Sequence, residues 1–106
     1  MKIVYTQKAQ QDIMNIYDYV AFTLLVPEIA QKLTDSIMAS IRTLASIPER
    51  NPLYKKEPWY SRGVRFLPVK NYLIFYTVNI ERDMVLITRI MYSGRNIEHQ
   101  DIEFDL

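Results

Sequence analysis

Residues 2–6, KIVYT, alternate in polarity and are rich in β-branched side chains, which predicts a short first strand. The period then changes. Ala9, Ile13, Ile16, Tyr17 and Val20 recur at helical spacing, with Lys8, Gln11, Asp12, Asn15 and Asp18 between them. Thr6 suits the N-cap of that helix. FTLLV (22–26) breaks the pattern, and Pro27 suits the first turn of a second helix. Along that helix Ile29, Leu33, Ile37, Ile41, Leu44 and Ile47 make an apolar stripe, which Pro48 ends. Two amphipathic helices joined by a short link pack as an antiparallel hairpin.

The segment 48–61, PERNPLYKKEPWYS, holds three of the five prolines together with Tyr54, Trp59 and Tyr60. It reads as an ordered loop, because its prolines limit its freedom and its aromatic rings need a surface to pack on. Three dense apolar runs follow, at 63–69, 72–79 and 84–92. Lys70-Asn71 and Glu81-Arg82-Asp83 make polar turns between them, so an antiparallel meander is expected. The order β-α-α-β-β-β predicts an α+β domain: an antiparallel sheet with a helical hairpin on one face. Tyr72, Ile74, Tyr76 and Val78 are assigned to the helix side, and Leu73, Phe75 and Thr77 to the other. That second side is apolar too, so something must cover it.

A chain of 106 residues, 49% hydrophobic, fits a single domain over 1–106 with a real core. With no cysteine and one histidine, neither a disulfide framework nor a common metal cluster is expected, and no cofactor is assigned. MKIVYTQKAQQDI lacks a secretory apolar region, no run reaches the length of a membrane span, and a cytoplasmic location is the default. Net charge is only +1, but it is unevenly spread. Residues 1–49 sum to −1, residues 50–95 to +6, and the tail 96–106 to −4 through Glu98, Asp101, Glu103 and Asp105. A basic middle favours an acidic or anionic partner, and the acidic tail is a candidate shield for it.

Phosphate loops and nucleophile–base motifs are missing, and Gly63 and Gly94 alone cannot make a glycine-rich cradle. Glu81 with Asp83 reads as a hairpin tip and His99 as a tail residue. The arginines carry more information. As a strand residue, Arg89 shares a face with Val85, Ile87 and Met91, Arg95 lies just past the strand end beside Tyr92 and Ser93, and Arg65 lies in a neighbouring strand. Two readings stand. Arginines on a sheet bind phosphates bidentately, with a tyrosine to stack bases or move protons. Alternatively, Arg89 pairs with a helix carboxylate such as Asp12 or Asp18 and the other arginines are solvated.

The stretch RGVRFLPVKNYLIFYTVNIERDMVLITRIMYSGRN (62–96) resembles the C-terminal half of RelE/ParE-superfamily toxins. Arg65 stands in the first strand of the pattern. Tyr72-Leu73-Ile74-Phe75-Tyr76 follows in the aromatic strand, Val85 to Ile90 in the strand that carries Arg89, and Arg95 at the basic end. Together with the N-terminal strand, Ala9 and the Leu44-x-x-Ile47-Pro48 helix end, the resemblance spans roughly residues 2–97. It implies the toxin of a bacterial type II toxin–antitoxin operon, held by a cognate antitoxin whose C-terminal segment covers an apolar surface; Leu73 and Phe75 are the candidates for that contact.

The resemblance implies two mechanisms. ParE-like members bind and poison DNA gyrase; RelE-like members are ribosome-dependent mRNA endonucleases. The ribonuclease branch usually carries arginine where this chain has Leu73, and is strongly basic where this chain is nearly neutral. Gyrase binding is therefore the leading expectation, with Arg65, Arg89, Tyr92 and Arg95 as the target-facing set. In the ribonuclease alternative, Arg65 and Arg95 hold phosphate and Tyr92 moves the proton. Tyr92 departs from the histidine common in ParE-like members.

Overall fold

Thr6 shows how the chain is knotted into its core at the first turn. Its Oγ1 accepts from the Ala9 N–H (3.0 Å), capping the first helix, and donates to the Thr88 carbonyl (2.9 Å) on the last strand. The computed structural model describes residues 1–94. Along it run β1 (Lys2–Tyr5), α1 (Gln7–Asp18), a π-helical turn (Tyr19–Thr23), α2 (Pro27–Arg42), a 3-10 turn (Thr43–Ala45), β2 (Arg65–Val69), β3 (Tyr72–Asn79) and β4 (Met84–Tyr92). Arg95, His99 and the acidic tail lie outside the described residues.

The sheet order is β1-β4-β3-β2. β2, β3 and β4 form the expected antiparallel meander, whereas β1 adds to β4 in parallel, so the sheet is mixed. The helical hairpin is the crossover that a parallel neighbour requires. Ile37 and Ile41 of the second helix and Leu44 of the 3-10 turn, with Ala9 of the first helix, meet Ile74, Tyr76, Val85 and Ile87 of the sheet in the main core. The expected stripe is correct in the middle and wrong at its ends. Ile29 and Ile47 are more than half exposed, and Ala30 and Thr34 take the inward positions instead.

The second sheet face is closed by the chain itself. Between the 3-10 turn and β2 the backbone crosses this face as a strap. Tyr54 N–H donates to the Val64 carbonyl (2.8 Å), and Leu53 bridges to Arg65. Trp59 (2% exposed), Val64, Phe75 and Met91 form a second small core there. Tyr54 sits edge-on to Phe75 at 5.1 Å and to Phe66 at 5.6 Å, a favourable aromatic geometry.

One irregularity reorders β4. The β3–β4 register slips between Phe75 and Tyr76, which pair with Arg89 and Ile87, leaving Thr88 as an extra residue. Such a bulge reverses the alternation beyond it. Val85 and Ile87 face the helices, but so does Ile90, while Met91 joins the opposite core. Arg89 and Met91 lie beyond the slip and therefore do not share the face of Val85 and Ile87, as simple alternation predicted.

Candidate binding cleft

Arg89, the residue after the extra Thr88, is bonded to the first helix. Arg89 Nε donates to Asp12 Oδ2 (2.8 Å) and Nη2 to Asp12 Oδ1 (3.0 Å), while the Ile90 N–H donates to Asp12 Oδ2 (2.9 Å). Both side chains are about nine-tenths buried (Asp12 8% and Arg89 9% exposed). Of the two readings open for Arg89, the pairing with Asp12 is the one observed. Arg89, expected in the target-facing set, has its fork engaged inside the protein by a bidentate carboxylate.

Beside this pair opens a cleft of about 840 Å³ between the helical hairpin and the end of β4. Asp12, Asn15, Tyr19 and Leu24 line the helix side, and Tyr72, Ile90, Tyr92 and Gly94 line the strand side. Its rim is apolar and aromatic: Tyr19 and Tyr92 are each 53% exposed and Leu24 51%. Phe22 and Leu25 stand farther out still, and Leu25 adopts a left-handed backbone at φ 60°, unusual for a γ-branched residue. A π-helical turn here is a feature often found at functional sites, because it presents side chains that a continuous α-helix would turn aside.

Tyr72 and Tyr92 meet edge to face at 5.9 Å. Burial pushes the Tyr72 phenol above its ordinary value, and the Tyr92 and Tyr19 hydroxyls beside it push the same way. Tyr72 is thus a hydrogen-bond donor at neutral pH and a poor base. The lining offers shape and apolar contact, with a few hydroxyls that can orient an occupant.

Arg65 lies elsewhere. It pairs with Tyr76 across β2–β3, donates from Nη1 to the Asn51 carbonyl (2.7 Å), and approaches Glu49 at 3.7 Å. Tyr92 pairs with Tyr72, four residues from Tyr76 along β3, which is roughly 13 Å at strand rise, and β4 is two strands from β2. Arg65 and Tyr92 are therefore not brought together, and Arg95 lies outside the described residues. Leu73 is partly buried against the strap core, and Phe75 is fully buried within it. Phe75, expected as an antitoxin contact, is covered by Tyr54 and Trp59. The surface that reasoning from sequence missed is Tyr19, Phe22, Leu24 and Leu25. Its signal was the apolar FTLLV run, which broke the helical pattern in a link that should be polar.

Among the described residues, no group of three or more His, Cys, Asp or Glu side chains is placed to hold a metal ion, and no helix is long and apolar enough to cross a membrane.

Residues 3–97 match a family model described as the ParE toxin of the type II toxin–antitoxin system, parDE. Among solved structures, a chain of the chromosomal ParDE toxin–antitoxin system from P. aeruginosa is 26% identical, with a TM-score of 0.71 over 87% of this chain and 95% of that one. A chain of the RelBE2 toxin–antitoxin complex from Mycobacterium tuberculosis is 17% identical, with a TM-score of 0.61 over 89% and 92%, a likeness of fold. No curated protein matches the sequence significantly.

Proposed function

The chain belongs to the ParE toxin family of type II toxin–antitoxin systems, and from that premise we propose that it arrests growth by binding DNA gyrase in the cytoplasm, until a cognate antitoxin captures it. The observation that carries the reading is the match to the ParE family model across residues 3–97. Two features support it. Arg89 is engaged by Asp12 and Arg65 by Asn51 and Glu49, so neither presents an open fork to a scissile phosphate. Leu73, where the ribonuclease branch keeps arginine, packs against the strap core rather than offering a charge.

The antitoxin's place in this reading is the cleft at the hairpin tip. An amphipathic helix seats its apolar face in a groove through anchors one turn apart. Tyr19, Leu24 and Tyr92 supply a rim of that kind, with Tyr72 and Asn15 to fix orientation.

The test is supercoiling of relaxed plasmid by purified gyrase. Added toxin is expected to inhibit it or to trap cleaved DNA, and addition of the antitoxin is expected to restore activity. Full supercoiling at a large excess of folded toxin would refute the gyrase reading. Codon-phased cuts in translated mRNA, mapped by primer extension after induction, would replace it with the ribonuclease.

A further inference from the structure

The strap between Ala45 and Arg65 has no helix or strand of its own beyond the Leu53 bridge. Connections longer than about 12–15 residues without regular structure are uncommon in small domains and are usually functional. This one is firmly built. Tyr76 Oη donates to the Pro48 carbonyl (2.6 Å), Asn51 Nδ2 donates to Tyr76 Oη (3.1 Å), and the Phe66 N–H donates to the Pro52 carbonyl (3.1 Å). Trp59 plugs the far end into the sheet, inside a turn closed by bonds from Arg62 and Val64 N–H to its carbonyl.

The outer side of this rigid strap is basic. Residues 49–65 carry five basic side chains, Arg50, Lys55, Lys56, Arg62 and Arg65, against Glu49 and Glu57. Both acids are engaged locally: Glu49 approaches Arg65, and Glu57 accepts from the Ser61 N–H (2.8 Å) and hydroxyl. Arg50, Lys55, Lys56 and Arg62 are exposed, and Tyr60 beside them is 44% exposed. Arg50 and Arg65 both act on the Tyr76 hydroxyl, which places them at the same end of the strap.

Protein interfaces are built around an apolar centre from which charge is depleted, whereas nucleic-acid interfaces are polar and positively charged. The cleft at the hairpin tip has the first character and the strap has the second. We infer that the strap is a contact surface for the phosphate backbone of duplex DNA, with Arg50, Lys55, Lys56 and Arg62 as its charge contacts. The choice of duplex DNA rests on the gyrase reading, since a toxin docked on a DNA-handling enzyme lies within reach of the enzyme's own substrate. The strap then holds the toxin on the enzyme–DNA complex, and the cleft remains the antitoxin's.

The experiment is direct binding of the full chain, without gyrase, to a fluorescent duplex of arbitrary sequence. Four phosphate contacts predict that affinity falls about 150-fold between 50 and 200 mM salt, at a slope of about 0.9 per contact. K55A/K56A/R62A leaves Arg50 alone, and its affinity is expected to fall only about 3- to 4-fold over the same range. The three positions are exposed, and the variant's melting temperature, measured alongside, separates a loss of contact from a loss of fold. Unaltered salt dependence in the variant would overturn the inference. So would equal or tighter binding of polyglutamate, which would make the occupant an acidic protein, or of single-stranded RNA. DNA binding with no effect on supercoiling would instead refute the gyrase reading and leave the strap contact standing.

Discussion

Replacing Asp12 with alanine tests the central structural assignment, that Arg89 is held for the fold rather than offered to a target. Three hydrogen bonds converge on this carboxylate, two from Arg89 and one from the Ile90 backbone, at 2.8–3.0 Å. Breaking a buried pair by removing one partner costs about 3–5 kcal/mol, because the remaining charge is left uncompensated. Asp12 lines the cleft, so water admitted there will solvate part of the orphaned guanidinium, and the lower end, about 3 kcal/mol, is the expected loss. Against a total stability of about 5–15 kcal/mol this is a large fraction. At roughly 4–8 °C per kcal/mol for a domain near this size, melting should fall by roughly 12–24 °C. Urea unfolding followed by Trp59, the single tryptophan and 2% exposed, measures it. The companion variant D12A/R89M removes both charges and leaves only the Ile90 N–H without its acceptor, so it should recover a substantial part of the loss. A loss under about 1 kcal/mol in D12A would refute the buried-pair reasoning. So would a double variant as unstable as the sum of its single changes. If D12A/R89M still inhibits gyrase, Arg89 is excluded as a target contact.

Two further predictions separate surface from core. Leu24→Glu and Tyr92→Ala should each weaken antitoxin capture by roughly 30-fold or more, the effect of removing an interface anchor, with little change in melting temperature. Phe75→Ala should cost about 3–5 kcal/mol of stability, the usual loss for a buried phenylalanine; antitoxin affinity of the folded fraction should hold, and a selective loss of that affinity would contradict the covered position of Phe75. The third prediction concerns alkaline pH. Burial is the first cause that raises the Tyr5, Tyr72 and Tyr76 phenols above their ordinary value of 10.0. A raised folded value means stability is complete below the unfolded value and declines as pH climbs through it, so urea midpoints should be level to about pH 9 and fall beyond 10. Tyr76→Phe should shallow that decline, while costing about 1 kcal/mol at neutral pH for its bond to Pro48; an unchanged alkaline slope would exclude Tyr76 as a contributor.

Where local chemistry and periodicity agreed, the sequence was readable. Thr6 and Pro27 stand where capping chemistry puts them, and β3 and β4 have the boundaries their apolar runs indicate. The face assignment of Ile74 and Tyr76 follows from strict alternation, which holds along β3 through the slip because the extra residue lies in β4. Three features were invisible for definite reasons. The parallel seat of β1 depends on where the hairpin delivers the chain, not on any residue within KIVYT. The strap's closure of the second face depends on Trp59 reaching Phe75 across a loop that has no period to read. The choice of Asp12 over Asp18 as the partner of Arg89 was open, because both lie on the same helix and only the three-dimensional placement of β4 selects between them.

That selection comes down to one inserted residue. With unbroken alternation, a strand carrying Val85 and Ile87 inward would carry Arg89 and Met91 inward as well, and Ile90 outward. The extra residue Thr88, whose Oγ1 donates to the Phe75 carbonyl (3.0 Å), resets the count so that Ile90 turns to the helices and Met91 fills the strap core. Arg89 follows the extra residue, and its fork meets Asp12, which lines the cleft. Thr6 holds the carbonyl of this same residue, so the cap of the first helix and the bulge are one device. An arginine that reads in sequence as a functional residue is thereby paired within the fold. The surfaces proposed for function are those the pattern marked as exceptions: an apolar link between helices, and a basic loop pinned by its aromatics.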